Sequence, residues 1–247
     1  MPERTLNVWR GDASGGAFTP YRLQAAEGMT VLDALHRVQA GEAPDLAVRW
    51  NCKAGKCGSC SAEVNGRPAL LCMTRLSSLP ESATVAPLKA FPVIRDLVTD
   101  VSFNYRKAAE VGAFAPRDAT MGAPLYQEDV DRLREFHNCI ECFLCQDVCH
   151  VIRDHEEHKP RYSGPRFFVR LAALEMHPRD AGDRVAFAEQ NAGLGRCNVT
   201  KCCSEVCPEG IRITDNAIIP LKERAADRYR DPLARLLGLF SNSRKDA

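Results

Sequence analysis

Twelve of the 247 residues are cysteine. They fall into three groups: Cys52, Cys57 and Cys60 followed by Cys72; Cys139, Cys142, Cys145 and Cys149; and Cys197, Cys202, Cys203 and Cys207. The chain opens Met1-Pro2-Glu3-Arg4 without the basic and then apolar pattern of an export signal, so it is expected to stay on the cytoplasmic side. Thiols there are kept reduced, which makes disulfides the weaker explanation and leaves these cysteines available as soft metal ligands. The chemistry open to them is that of thiolate-bound metal: zinc or iron–sulfur clusters.

Spacing separates the two. Cys52, Cys57 and Cys60 stand four residues and then two apart, with Cys72 beyond, which is the plant-type 2Fe-2S ferredoxin pattern rather than paired zinc knuckles. Gly55 and Gly58 let the loop curl so that backbone N–H groups approach the sulfurs. Lys53 and Lys56 add positive charge there or form an ordinary solvated loop. Cys139, Cys142, Cys145 and Cys149 follow the bacterial two-cluster ferredoxin run, and Cys197, Cys203 and Cys207-Pro208 repeat that frame with Thr200 where a cysteine is expected. In such pairs of runs the fourth cysteine serves the other run's cluster. Cys139, Cys142, Cys145 and Cys207 are therefore expected to hold a 4Fe-4S cluster, leaving Cys149, Cys197 and Cys203. Three thiolates and a threonine leave one cubane corner without sulfur, which favours 3Fe-4S. Cys202 breaks the frame and reads as a small buried side chain, with ligation as the alternative.

The elements that must position these groups change character along the chain. Leu6 to Trp9 alternates and can pair with Tyr21 to Gln24, Ser61 to Val64 runs into the turn Asn65-Gly66, and Thr30 can cap a helix burying Val31, Leu32, Leu35 and Val38. Beyond residue 100 helical periodicity takes over, over 129–136, 166–174 and 215–227, after an extended connection between Ala113 and Pro124. The expected fold class is α+β, with a β-grasp plant-type ferredoxin domain over 1–105 and an α-helical two-cluster ferredoxin-like domain over 106–247.

Composition narrows the partners. A formal net charge of +1 with 26% charged residues gives no basic field for nucleic acid. No apolar run approaches the length of a membrane span. Nucleotide loops, a Gly-x-Ser-x-Gly turn and a hydrolytic carboxylate pair are all missing, so no catalytic residue is assigned on this chain.

A plant-type 2Fe-2S unit followed by one complete and one Thr-interrupted run resembles the iron–sulfur subunits of succinate dehydrogenases and fumarate reductases over nearly the whole chain. Pro92 to Val98, Cys207-Pro208 with Glu209-Gly210-Ile211, and Cys142 to His150 carry it, the last looking closer to an actinobacterial branch than to mitochondrial forms. The resemblance implies an enzyme subunit inactive alone. Its partners would be a flavoprotein subunit carrying FAD and a cytochrome b-like membrane anchor, and it would lie peripherally on the cytoplasmic face of the membrane. Electrons would run from flavin through 2Fe-2S, 4Fe-4S and 3Fe-4S to quinone. The alternatives are an iron–sulfur subunit of another flavoenzyme with a different acceptor, and a zinc-stapled interaction module.

The quinone end departs from many relatives. His150 follows Cys149 where proline is common, Asn198 follows Cys197 where ubiquinone users carry histidine, and both tryptophans, Trp9 and Trp50, lie in the first unit. The usual quinone contacts do not carry over, and the reading leans to menaquinone. His155 and His158 sit among Asp154, Glu156, Glu157 and Lys159 and read as a solvated face. Leu233, Leu236, Leu237, Leu239 and Phe240, near Arg244-Lys245, form an amphipathic segment suited to a membrane subunit or to its own domain.

Overall fold

The computed structural model describes residues 2–117 and 124–230; the apolar segment 233–240 lies outside them. In the first unit β1 (Glu3–Asp12) and β2 (Gly15–Gln24) form an antiparallel hairpin with Leu6 opposite Tyr21. The period of two sends Leu6 and Val8 into the core. The hairpin of β3 (Ser61–Val64) and β4 (Arg67–Leu70) turns through Asn65 and Gly66, both left-handed at φ 50° and 73°, as a two-residue Asn-Gly turn requires. With β5 (Ser82–Ala86), which runs parallel to β1, and the short β6 (Val93–Arg95) and β7 (Val98–Thr99), the sheet order is β4-β3-β5-β1-β6-β7, with β2 also on β1.

The sheet grips a single helix, α1 (Val31–Ala40), in the β-grasp arrangement. Its start is fixed by a capping box: Thr30 Oγ1 accepts from the Asp33 N–H, and the Asp33 carboxylate accepts from the Thr30 N–H at 3.1 Å. The face with Val31, Leu32, Leu35 and Val38 is buried, each such side chain removing apolar surface worth about 1.5–3 kcal/mol.

The sheet ends at Thr99 and α2 (Ser102–Val111) begins, so the expected division at 105/106 falls within a helix. The second half is helical: α3 (Gln127–His137), α4 (Leu144–Asp147), α5 (His150–Arg153), a 3-10 stretch at Glu156–Arg161, α6 (Pro165–Glu175), α7 (Arg184–Gln190), α8 (Cys202–Glu205) and α9 (Ile219–Arg230). α6 is its spine, with Phe167, Phe168, Val169, Leu171 and Ala172 buried. The helix expected from Asp215 starts earlier and differently, as a π-helical turn at Ile213–Ile218. Such turns widen the backbone and recur beside functional sites.

The halves are locked by buried polar contacts. The Asp147 carboxylate accepts from the Ala90 N–H at 2.9 Å, and Lys159 donates to the Ala90 carbonyl at 3.0 Å. Arg153 bridges Glu63 on β3 and Asp147 on α4. Burial, with Glu63 alongside, pushes the Asp147 carboxyl up to about 7 against the Ala90 N–H and Arg153.

Candidate metal centres

Cys52, Cys57 and Cys60 of the first group lie on one loop before β3, and Cys72 follows β4. Cys52 is exposed and Cys57 half-buried, while Cys60 and Cys72 are buried. The N–H groups of Ala54 and Lys56 both point at Cys52 Sγ at 3.3 Å, and the Cys52 N–H points at Cys57 Sγ at 3.5 Å. Cys60 lies against Cys72; burial and that neighbour push its thiol up to about 12. Burial would raise Cys57 as well, but hydrogen bonds from Ser59 and from the Cys52 N–H bring it down to about 7. The thiols thus stand as two pairs, Cys52 with Cys57 and Cys60 with Cys72. Lys56 contributes its backbone to the sulfur and its side chain elsewhere, to Glu209 at 3.0 Å. The Lys53 ammonium sits 4.8 Å from the Trp50 ring centre.

The other cysteines interleave. One pocket is walled by Cys139, Cys142 and Cys145 of the first run together with Cys207 of the second, under Val169, Ile211 and Ile213. A second is walled by Cys149 of the first run with Cys197 and Cys203 of the second, beside Tyr162, Thr200, Cys202 and Thr214. The two runs are local copies of each other. Each has left-handed residues at the second and fourth positions after its first cysteine, Glu141 and Phe143 in one and Val199 and Lys201 in the other. Each then enters a short helix one residue on, α4 at Leu144 and α8 at Cys202. Left-handed backbone is costly for side-chain-bearing residues, for Val199 above all; here it turns successive N–H groups inward, and those of Glu141 and Leu144 bond Cys139 and Cys142.

In this frame Thr200 matches Cys142, and Cys202 matches Leu144, a core residue 1% exposed. Cys202 therefore stands at the first position of a helix, yet it is half-buried rather than the small, fully buried side chain expected, and it reaches the second pocket, 3.3 Å from Thr200 Oγ1.

The donor set fits polynuclear clusters better than single zinc ions. Four thiolates around zinc with bonds near 2.3 Å stand about 3.8 Å apart. Among the described residues, the set of three ligand atoms drawn within 4.8 Å of one another is His155, Glu157 and His158, not any cysteine group. The cysteines of the two runs instead line two pockets. Burial pushes Cys142 up to about 12 and Cys203 up to about 11, and raises Cys145 well above the usual thiol value. A metal centre binding there must displace those protons.

A profile for a 2Fe-2S iron-sulfur cluster binding domain matches residues 5–105, and one for a 4Fe-4S dicluster domain matches 135–211. The fumarate reductase iron-sulfur subunit of Mycobacterium tuberculosis is 31% identical over 206 residues, 80% of this chain and 82% of that protein. A chain of the Mycobacterium smegmatis Sdh1 complex in the apo form superposes with a TM-score of 0.91 at 59% identity, covering 94% of this chain and 99% of that one. The chain belongs to the iron–sulfur subunits of succinate dehydrogenases and fumarate reductases. The family also reaches longer proteins: a component of the fumarate reductase (CoM/CoB) of Methanothermobacter marburgensis is 32% identical over 213 residues, and this chain spans 42% of its length. Fold class and membership in a redox enzyme's iron–sulfur subunits, as expected from the cysteine frames, stand on these matches.

The contact between the 52–60 loop and the 139–145 run was invisible to spacing. A Cβ on Gly58, left-handed at φ +68°, would lie 2.6 Å from Cys142 Cα, so only glycine allows the loops to touch. The Ser61 hydroxyl reaches the Cys142 carbonyl at 2.9 Å. Tyr162 and Thr214, whose hydroxyls meet sulfurs of the second pocket, were also missed: neither lies in a cysteine motif. His150 does line that pocket. His155 and His158 are on the surface, stacked at 5.6 Å.

Proposed function

We propose that this chain is the electron-transfer iron–sulfur subunit of a membrane-bound succinate:quinone oxidoreductase, lying peripherally on the cytoplasmic face of the membrane between a flavoprotein subunit and a cytochrome b-like anchor. Bound clusters supply one-electron carriers in sequence, 2Fe-2S, 4Fe-4S and 3Fe-4S, between FAD on the partner and a quinone, in this reading menaquinone. The observation that carries the proposal is the interleaving of the two runs, with the first of their pockets pressed through Cys142 against the 52–60 loop.

Cys52, Cys57, Cys60 and Cys72 would hold the first cluster, one pair of thiols for each iron. Cys139, Cys142, Cys145 and Cys207 would hold the second, and Cys149, Cys197 and Cys203 the third, Thr200 leaving a corner unligated. The apolar lids over the first pocket keep water from the sulfurs, and the inward N–H groups stabilise added negative charge. Glycine at 58 removes the side chain that would separate two carriers, and tunnelling falls steeply with distance. The division of the chain near 105 belongs to the same proposal. Among the described residues no helix is long and apolar enough to cross a membrane, which is consistent with an anchor supplied by another subunit.

Electron paramagnetic resonance on the anaerobically purified complex, oxidised and then reduced with dithionite, tests it alongside iron and sulfide analysis. A 3Fe-4S signal when oxidised and a 2Fe-2S signal when reduced are expected. Two cubanes without a 3Fe-4S signal would make Cys202 a ligand, and an iron-free preparation overturns the reading. The likeness to a component of a CoM/CoB fumarate reductase supports a second reading, in which thiols, oxidised to a disulfide, supply the electrons for fumarate reduction in place of a quinol; turnover with succinate and a menaquinone analogue, compared with thiol-dependent fumarate reduction, separates the two.

A further inference from the structure

The two interleaved pockets differ in what reaches their sulfurs. Backbone N–H groups serve both, those of Glu141 and Leu144 at Cys139 and Cys142 in the first and those of Val151 and Ile152 at Cys149 in the second. In the second, two hydroxyls are brought in from outside the runs. The Tyr162 hydroxyl, on a side chain 0% exposed, lies 3.6 Å from Cys149 Sγ, and Thr214 Oγ1, on a residue 1% exposed, lies 3.4 Å from Cys203 Sγ.

The direction of both bonds follows from chemistry. A ligating cysteine has lost its proton and only accepts, so each hydroxyl must donate. The arrangement around Thr214 reserves its hydrogen for this use. The Thr214 N–H donates to Ser204 Oγ at 3.0 Å, and the Ser204 hydroxyl donates in turn to Thr214 Oγ1 at 3.4 Å, leaving the threonine's own hydrogen facing Cys203. Thr214 holds this place because it sits in the π-helical turn at Ile213–Ile218, whose wider backbone sets it over the pocket. Tyr162 is fixed by packing against Phe168 on α6, ring centres 5.6 Å apart. Both hydroxyls are buried, so water does not substitute for them.

We propose that Tyr162 and Thr214 set the reduction potential of the cluster at Cys149, Cys197 and Cys203, raising it by donating hydrogen bonds to two of its three ligand sulfurs. The inference rests on the cluster assignment proposed above. An added electron is shared onto the sulfurs, so a donor hydrogen bond stabilises the reduced cluster more than the oxidised one. Donors at Cys149 and Cys203 would thus favour the reduced form of a cluster held there, and with it electron transfer away from the site of Cys139, Cys142, Cys145 and Cys207.

The test is a redox titration of the whole complex followed by electron paramagnetic resonance, with Tyr162→Phe and Thr214→Val, which remove each hydroxyl while keeping shape. Each is expected to displace the 3Fe-4S reduction equilibrium about tenfold toward the oxidised form, a midpoint lower by about 59 mV for one electron, with the other two midpoints unmoved and Thr214→Ser restoring the original value. In the unsubstituted complex, exchange into D2O is expected to remove strongly coupled proton resonances from the oxidised cluster's spectrum. A 3Fe-4S signal with unmoved midpoints in both variants, or without exchangeable couplings, overturns the inference and leaves the cluster assignment intact. No 3Fe-4S signal in the unsubstituted complex overturns the assignment itself.

Discussion

The 52–60 loop and the two pockets formed by the 139–149 and 197–207 runs both gather thiols, by opposite means. The loop gathers them locally: its three cysteines lie within nine residues, with Cys72 just past the next hairpin, Cys52 is exposed, and backbone N–H groups of the same loop meet the sulfur. The pockets are assembled across the chain. Cys207 completes a set that begins at Cys139, and Cys149 faces Cys197 and Cys203, so neither pocket exists until α6 and the 213–218 turn have packed. The loop therefore depends on a tight turn, and the pockets depend on a core.

The largest expected effect tests the crossing itself. Cys207→Ala is expected to abolish the 4Fe-4S signal while leaving the 3Fe-4S and 2Fe-2S signals, as read by electron paramagnetic resonance and iron analysis; if ligands were shared within runs, the 3Fe-4S centre would disappear instead. Next is the dependence on separate cores. Phe168→Ala on α6 is expected to cost about 3–5 kcal/mol and to release iron from the two pockets first, whereas Leu35→Ala on α1, at about 2–5 kcal/mol, releases the 2Fe-2S centre first. Thermal unfolding followed at the visible absorbance of each centre separates them.

A smaller effect sharpens the contact between the two regions. Gly58→Ala places a Cβ against Cys142 in a left-handed position, costing about 1–2 kcal/mol in backbone conformation alone. It is expected to slow electron passage from the 2Fe-2S to the 4Fe-4S centre in rapid-freeze experiments with both spectra retained.

The smallest effect concerns acid stability of the first unit. The Thr30 hydroxyl holds the Asp33 carboxyl below its ordinary value of 3.8, against some desolvation. A depressed carboxyl contributes stability above the unfolded value and loses it as pH falls through the folded one. Asp33→Asn is therefore expected to flatten the stability loss below about pH 4, measured by denaturant unfolding across pH.

What could be read from the residues was what repeats at short range. Cysteine frames, the Asn65-Gly66 turn, the Thr30 cap and the apolar face of α1 are set by neighbours within a turn or two, and each was legible. The division expected at 105/106 falls inside α2, while the change from strand to helix comes between Thr99 and Ser102, because periodicity marks a change of element less sharply than the backbone does. The π-helical opening of the helix expected from Asp215 was not legible, since widening of a turn is imposed by packing on α6 rather than by propensity. The alignment of Cys202 with Leu144 was not legible either, because it shows only in the left-handed pairs Glu141/Phe143 and Val199/Lys201.

By itself the sequence determined the kind of chemistry, because thiolate number and spacing restrict the metal centres a loop can enclose, and it set Thr200 in the second run at the place Cys142 holds in the first. Only the tertiary structure decided which groups surround those thiols. Gly58 meets Cys142 across 84 residues of chain, and Tyr162 and Thr214 reach their sulfurs from outside the motifs. Ligand identity is written in local spacing, whereas contact, burial and hydrogen bonding to a ligand depend on which distant segments the core brings against it.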